Sequence, residues 1–225
     1  MIKPAKPARE NISPSDLTFG LSTCKRCLWI KYWFKVTMPG AFPLVGTMAA
    51  LQEEHFQGAD MPTIDPSLRA GKVTKWGEWV KSKPLVVNSV ESRWRILGKY
   101  DLVSTNDDGT IGLIDCKVSD SQRDSGQFYS PQLEAYAYAL ENPAAGKSQS
   151  VASMGLLVWR PTTAIGSNAD EYGFGVFQKY VAVERDQANF LKVIGEFIDV
   201  LEGELPDAGP ECQTCTYLTA RNALD

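Results

Sequence analysis

The segment from Gly98 to Tyr136 constrains this chain more than any other. It reads as strand, tight turn, strand, loop, helix. Asp107-Asp108-Gly109-Thr110 is a hairpin signal set between alternating apolar runs. The spacing predicts one strand carrying Asp101 and a second from Ile111 to Lys117. Side chains alternate along a strand, so Asp115 and Lys117 share one face and Cys116 takes the other. Closing the hairpin across Asp108-Gly109 brings Asp101 beside Asp115, within a residue of register. Ile111, Leu113, Ile114 and Val118 make the second strand mostly buried. Two charges on one face of a buried strand are costly unless they are paired or hold a metal. Two carboxylates and an ammonium at one spot suit Mg²⁺ or Mn²⁺, which prefer carboxylate, carbonyl and water oxygens. Such an ion polarises a phosphodiester and lowers the pKa of its bound water. Lys117 is then placed to orient that water or to offset charge developing on the phosphate.

The helix that follows is expected to start with Ser130 as N-cap and Pro131 at its first position. Gln132 and Tyr136 are then neighbours one turn apart. Leu133, Ala137 and Leu140 form an adjacent apolar stripe that docks on the sheet, which brings Gln132 within reach of Asp115.

Cysteine supplies the second constraint. Cys24 and Cys27 form one Cys-x-x-Cys pair, Cys212 and Cys215 another, at opposite ends of the chain. In a cytosolic protein this spacing points to metal rather than disulfide. Four thiolates serve Zn²⁺ or an iron–sulfur cluster equally by ligand count. Either ties the two ends together. Cys116 reads as a small core residue behind the second strand.

The rest of the chain frames these groups. Pro4, Pro7 and several basic residues mark residues 1–12 as a disordered leader. Ser13-Pro14-Ser15-Asp16 starts a helix that ends near Cys24. The aromatic run Leu28 to Phe34 reads as a core helix. Residues 57–84 carry several prolines and glycines and are expected to hold little regular structure beyond a short helix near Trp76–Val80. Leu85 to Leu97 reads as a strand. Val151 to Trp159 and Gly175 to Val183 are two more, joined by a polar loop from Arg160 to Phe174. Asp186 to Leu201 is an amphipathic helix with Phe190, Ile194, Phe197 and Leu201 as its stripe. One domain over residues 13–225 is expected: an N-terminal helical part (13–84), an α/β core (85–203) and a cysteine-bearing tail (204–225). No apolar run reaches transmembrane length, so a cytoplasmic protein with no membrane partner is the expectation. The net charge of −4 argues against tight non-specific nucleic-acid binding and leaves room for a local basic groove.

Gly-x-x-Asp at Gly98–Asp101, Asp-x-Lys at Asp115–Lys117 and Gln-x-x-x-Tyr at Gln132–Tyr136, in that order, resemble the PD-(D/E)XK nuclease superfamily. More narrowly they resemble its RecB-like branch, which includes CRISPR-adaptation nucleases and the AddB nuclease domain. The resemblance implies an α/β, restriction-endonuclease-like core with a central mixed sheet flanked by helices. It implies that Asp101 and Asp115 bind the metal, that Lys117 is the catalytic lysine, and that Gln132 and Tyr136 are accessory. It also implies DNA as partner, with single-stranded ends as substrate and exonuclease action, alone or with helicase, CRISPR or repair machinery. The alternative is a catalytically inactive DNA-binding or assembly module of the same fold.

Cys212-Gln213-Thr214-Cys215-Thr216-Tyr217 is similar to the C-terminal segment with which several RecB-like nucleases hold a [4Fe–4S] cluster. That cluster is therefore expected on Cys24, Cys27, Cys212 and Cys215, with Zn²⁺ as the alternative. The family splits its cysteines one and three, and this chain splits them two and two. Gly46 to Leu51 resembles the family helix that carries a metal-ligating histidine four residues after its glycine. Ala50 stands there, so either Glu54 or His55 substitutes or the metal keeps an extra water. Glu91 is a further candidate ligand, or else a cross-strand partner of Arg93 or Arg95.

Overall fold

A computed structural model describes residues 2–37, 43–119, 126–166 and 172–224. The spine is a five-stranded mixed sheet of β2 (Gly71–Trp76), β7 (Leu102–Asn106), β8 (Ile111–Val118), β9 (Val151–Gly166) and β10 (Tyr172–Val183), in the order β10-β9-β8-β7-β2. β8 is buried from Ile111 to Cys116, as a central strand covered on both faces must be. It runs antiparallel to β7 and parallel to β9. A parallel neighbour demands a crossover, and α5 (Gly126–Glu141) lies in that connection.

Helices cover both faces. On one, Val103, Ile111, Leu113, Val151 and Met154 pack with Leu133, Ala137 and Leu140 of α5 and the Phe190, Ile194, Phe197 and Leu201 stripe of α6 (Gln187–Glu202). Asp186 caps α6, its carboxylate accepting from the Asn189 amide. The same core takes in Leu17 of α1 (Pro14–Thr23) and Leu28 and Tyr32 of α2 (Lys25–Phe34). On the other face Leu102, Ile114, Cys116 and Leu157 meet Phe56, just past α3 (Pro43–His55), and Met61 and Ile64 of α4 (Met61–Ile64). The α/β architecture, the core helix in the aromatic run and the sheet-backed Cys116 are as the sequence implies. Among the described residues, no helix is long and apolar enough to cross a membrane.

Several boundaries differ, each for a local reason. The expected leader ends in a strand. Asn11–Ile12 form β1, parallel to β6 (Arg95–Lys99), and Ile12 is fully buried. The Lys3 ammonium donates to the carbonyls of Leu201, Glu202 and Gly203. The last carbonyls of α6 lack helical partners, and a lysine satisfies them.

α5 starts at Gly126, so Pro131 sits inside it rather than at its start and Ser130 is no N-cap. The hydrogen bond lost at proline is offset by the added turn. Its Phe128 and Tyr129 pack edge-on against Phe19 of α1, with centroids 5.3 and 5.9 Å away.

Residues 57–84 hold β2 and β3 (Trp79–Lys81) instead of a helix near Trp76–Val80. Gly77 turns the chain there with φ +58°. β2 is an edge strand with only Val73 buried, which leaves little apolar alternation to read. The strand expected from Leu85 to Leu97 breaks at Asn88 and Ser89, both in left-handed backbone. It becomes the two-stranded ribbon of β4 (Val86–Val87) and β5 (Val90–Glu91), followed by β6. Finally, β9 and β10 continue as a paired ribbon through most of the expected Arg160–Phe174 loop. Residues 167–171 of that loop lie outside the described residues.

Candidate active site

β7 and β8 pair Leu102 with Ile114 and Thr105 with Ile111, so the next position in register sets Asp101 opposite Asp115. Asp101 is not within a strand as expected. It occupies the bend between β6 and β7. Two amides hold that bend. Gly77 donates to the Asp101 carbonyl at 2.9 Å, and Cys116 donates to the Asp101 carboxylate at 2.6 Å. The carboxylate is thereby clamped to the strand that carries Asp115.

Asp115 is buried. Gln132 of α5 donates through Nε2 to Asp115 Oδ1 at 2.8 Å, and the Lys117 ammonium stands 2.5 Å from Oδ2. That ammonium also lies 4.7 Å from the centre of the Tyr129 ring. Tyr136 does not reach the carboxylates. Its hydroxyl donates to the Lys99 carbonyl at 2.7 Å, bracing the end of β6 that leads into Asp101. Gly98 makes room for this brace, since a Cβ there would lie 2.7 Å from both Pro14 and the Tyr136 ring. The accessory pair therefore divides its work: Gln132 fixes a carboxylate and Tyr136 fixes backbone.

The electrostatics call for a cation. Burial, and then the charge of Asp115, push the Asp101 carboxyl up to about 8, against the pull of the Cys116 amide and Lys117. Burial also raises Asp115, although Lys117 and Gln132 oppose it. For Lys117 burial works against the charge, but Asp115 and Asp101 outweigh it, and the ammonium is held above its ordinary value. One buried ammonium thus faces two buried carboxylates. Among the described residues, Asp115 Oδ2 makes no aligned hydrogen bond despite its closeness to Lys117, and the buried Gln132 Oε1 has no partner. These unsatisfied oxygens, on carboxyl groups whose ionised forms burial penalises, fit a hard divalent ion that would favour the ionised forms.

A third carboxylate, not one of those expected, acts on them electrostatically. Glu53 of α3 is largely buried, its side chain 16% exposed. Its charge raises Asp101, Cys116 and Tyr136. Lys99 holds it at 3.4 Å, and the Gly77 turn closes over it. Glu54 and His55 are exposed, and the His55 ring packs edge-on against Phe56. Glu91 is exposed in β5, on the separate ribbon, and pairs with neither Arg93 nor Arg95. Arg93 bonds Glu202 instead, and Arg95 the Ser82 carbonyl. Glu54 and Glu91 are thus exposed, and Glu53 is the glutamate whose charge reaches Asp101. Gln52, beside it, anchors α3 to the sheet by donating to the Leu157 carbonyl at 2.7 Å. That anchor fixes which of two adjacent glutamates turns inward.

The cysteines converge as the paired spacing implies. Cys24, Cys27, Cys212 and Cys215 bring their sulfurs within 4.8 Å of one another. Cys24 joins α1 to α2, and Cys212 caps α7 (Gln213–Asn222), its sulfur accepting from the Cys215 amide. Burial opposes a Cys24 thiolate, but amides of Cys27 and Gly209 and the neighbouring thiols lower it, whereas burial and the neighbouring thiols raise Cys27 and Cys215. Such a thiolate is ready to ligate.

Comparison with known proteins supplies the remaining findings. The crystal structure of SSO0001 superposes with a TM-score of 0.51 at 14% identity, over 97% of this chain and 87% of that one. At that identity the likeness speaks for the fold. No curated protein matches the chain. The description PD-(D/E)XK nuclease superfamily matches residues 46–220, a span that takes in Glu53, Asp101, Asp115, Lys117, Gln132 and Tyr136. The chain belongs to the PD-(D/E)XK nuclease superfamily.

Proposed function

We propose that this chain is a divalent-metal-dependent DNA nuclease acting on single-stranded ends as an exonuclease. One observation carries the hydrolytic part of the reading: Asp101 and Asp115 face each other across the β7–β8 register with Lys117 on the same strand face. Asp101, Asp115 and Glu53 are the groups that would hold Mg²⁺ or Mn²⁺. When bound, the ion would polarise the scissile phosphodiester and acidify a water. The preference for single-stranded ends rests on the resemblance to the RecB-like branch.

The chain's own residues set the geometry. Lys117 keeps its proton at neutral pH, so it acts as a donor: it can point a water's lone pair or neutralise a phosphate oxygen as charge builds. Gln132 holds Oδ1 of Asp115, which leaves Oδ2 facing Lys117. The Cys116 amide and the Tyr136 brace keep Asp101 from drifting off its partner. Glu53 supplies negative charge from the helix where the family's histidine is missing, so Ala50 does not by itself argue for an inactive module.

The test is cleavage of end-labelled single-stranded DNA by the chain in Mn²⁺, beside Lys117→Ala. Loss of cleavage by a factor of about 100 or more in the variant is expected. Equal cleavage by both proteins would discard the proposal.

A further inference from the structure

The four cysteines are too close together for a cluster of several irons, and we propose that they hold a single tetrahedral Zn²⁺ whose task is to dock the C-terminal helix. The sulfur of Cys27 lies 3.6 Å from those of Cys212 and Cys215, and the sulfur of Cys24 lies 3.8 Å from that of Cys215. All four fall within 4.8 Å of one another. Four thiolates about 2.3 Å from one central ion stand about 3.8 Å apart at the corners of a tetrahedron. A [4Fe–4S] cube gives each thiolate its own iron at a separate corner, which spreads the sulfurs to roughly 6 Å. A two-iron cluster divides them into two separated pairs, and no such division is present. The set matches the single ion.

The surroundings support a structural site. Four protein ligands leave no open position for substrate, which is the pattern of structural rather than catalytic zinc. Amides supply the outer layer: Gly209 donates to the Cys24 sulfur at 3.4 Å and Cys215 to the Cys212 sulfur at 3.5 Å. The site also has something to hold. α7 buries none of its residues, and Tyr217 and Leu218 are 65% and 49% exposed. A ten-residue helix without a packed face is marginal in water. Cys215 within α7 and Cys212 at its cap join it to the α1–α2 junction. The ion is then the clamp for this helix, while the sheet keeps its own two cores. None of this depends on whether the chain cleaves DNA.

The experiment uses the full chain, purified without oxygen from cells supplied with both iron and zinc. Metal analysis is expected to give about one zinc per chain and negligible iron, in colourless protein. Zinc-edge X-ray absorption is expected to show four sulfurs at about 2.3 Å. Brown protein with about four irons per chain overturns the proposal, as does zinc bound through nitrogen or oxygen, or protein without stoichiometric metal. Stripping the zinc from the parent chain with a chelating dye tests the clamp. Chymotryptic cutting at Tyr217 should accelerate about tenfold or more while the main thermal transition persists. An unchanged cutting rate after complete zinc release would refute the docking role. Cys212→Ser with Cys215→Ser should reproduce the stripped behaviour, and a stably docked tail in that variant would refute it equally.

Discussion

Asp101→Asn should stabilise the metal-free chain while destroying its metal site. The folded protein holds the Asp101 carboxyl at about 8 against an ordinary 3.8. At pH 7 the unfolded chain is ionised there and the folded chain is protonated, so folding must take up a proton. That uptake costs about 1.4 kcal/mol per pH unit above the unfolded value, or about 4 kcal/mol at pH 7. Stability from this group is therefore complete below about pH 4 and drains away as pH rises toward 8. Asparagine is nearly the same shape and never ionises. It still accepts from the Cys116 amide, as the neutral acid does, and exchanging the acid's hydroxyl for an amide group in a buried site is set at a cost of about 1 kcal/mol. The net gain at pH 7 is about 3 kcal/mol, and it shrinks to under about 1 kcal/mol at pH 5. For a domain of this size that is a rise in melting temperature of about 6–12 °C at pH 7. The assay is thermal melting in EDTA at both pH values, repeated with Mn²⁺. At a hundredfold excess over its dissociation constant Mn²⁺ should stabilise the parent chain by about 2.7 kcal/mol and leave the variant unmoved. A variant no more stable than the parent at pH 7, or a gap that fails to narrow at pH 5, would refute the reasoning.

Two further substitutions probe the same region. Glu53→Gln should weaken Mn²⁺ binding about tenfold or more and slow cleavage, whereas Glu54→Gln should change neither; isothermal titration of both variants decides which glutamate faces the metal. Gly98→Ala should cost about 1–3 kcal/mol by driving a methyl into Pro14 and the Tyr136 ring, read as a lowered denaturation midpoint with an unchanged slope.

The hairpin around Asp108-Gly109 was legible because turn chemistry and strand alternation act within a few residues. They place Asp101 and Asp115 in register without any knowledge of the remaining chain. The Phe190–Leu201 stripe was legible for the same reason, its period being a property of one helix. Glu53 was not. Adjacent glutamates on a helix differ by about a quarter turn, and what selects between them is the Gln52 bond to β9, a contact between residues 105 apart in sequence. Pro131 looks like a helix start in sequence because the extra turn before it is held by Phe19, which lies in another helix. The outer half of the β9–β10 ribbon is hidden in sequence because it is exposed. A strand with no buried face carries no alternating signature. The run from Leu85 to Leu97 hides the break at Asn88 and Ser89 that puts Glu91 on a separate two-stranded ribbon.

The joining of the two chain ends also dictates an order of events at the ribosome. α1 and α2 are made early, yet Trp29, Trp33 and Lys3 bond to the final turn of α6 and its cap, and Cys27 meets a cysteine 185 residues later. At 5–20 residues per second, synthesis of that interval takes about 10–40 s. Throughout it Cys24 and Cys27 are thiols without their partners, and the tryptophans of α2 lack the surface that covers them. The nascent N-terminal segment is therefore the stretch most exposed to oxidation, wrong metal capture and chaperone binding. The Asp101–Asp115 hairpin, whose strands lie next to each other in sequence, can close without waiting for that interval.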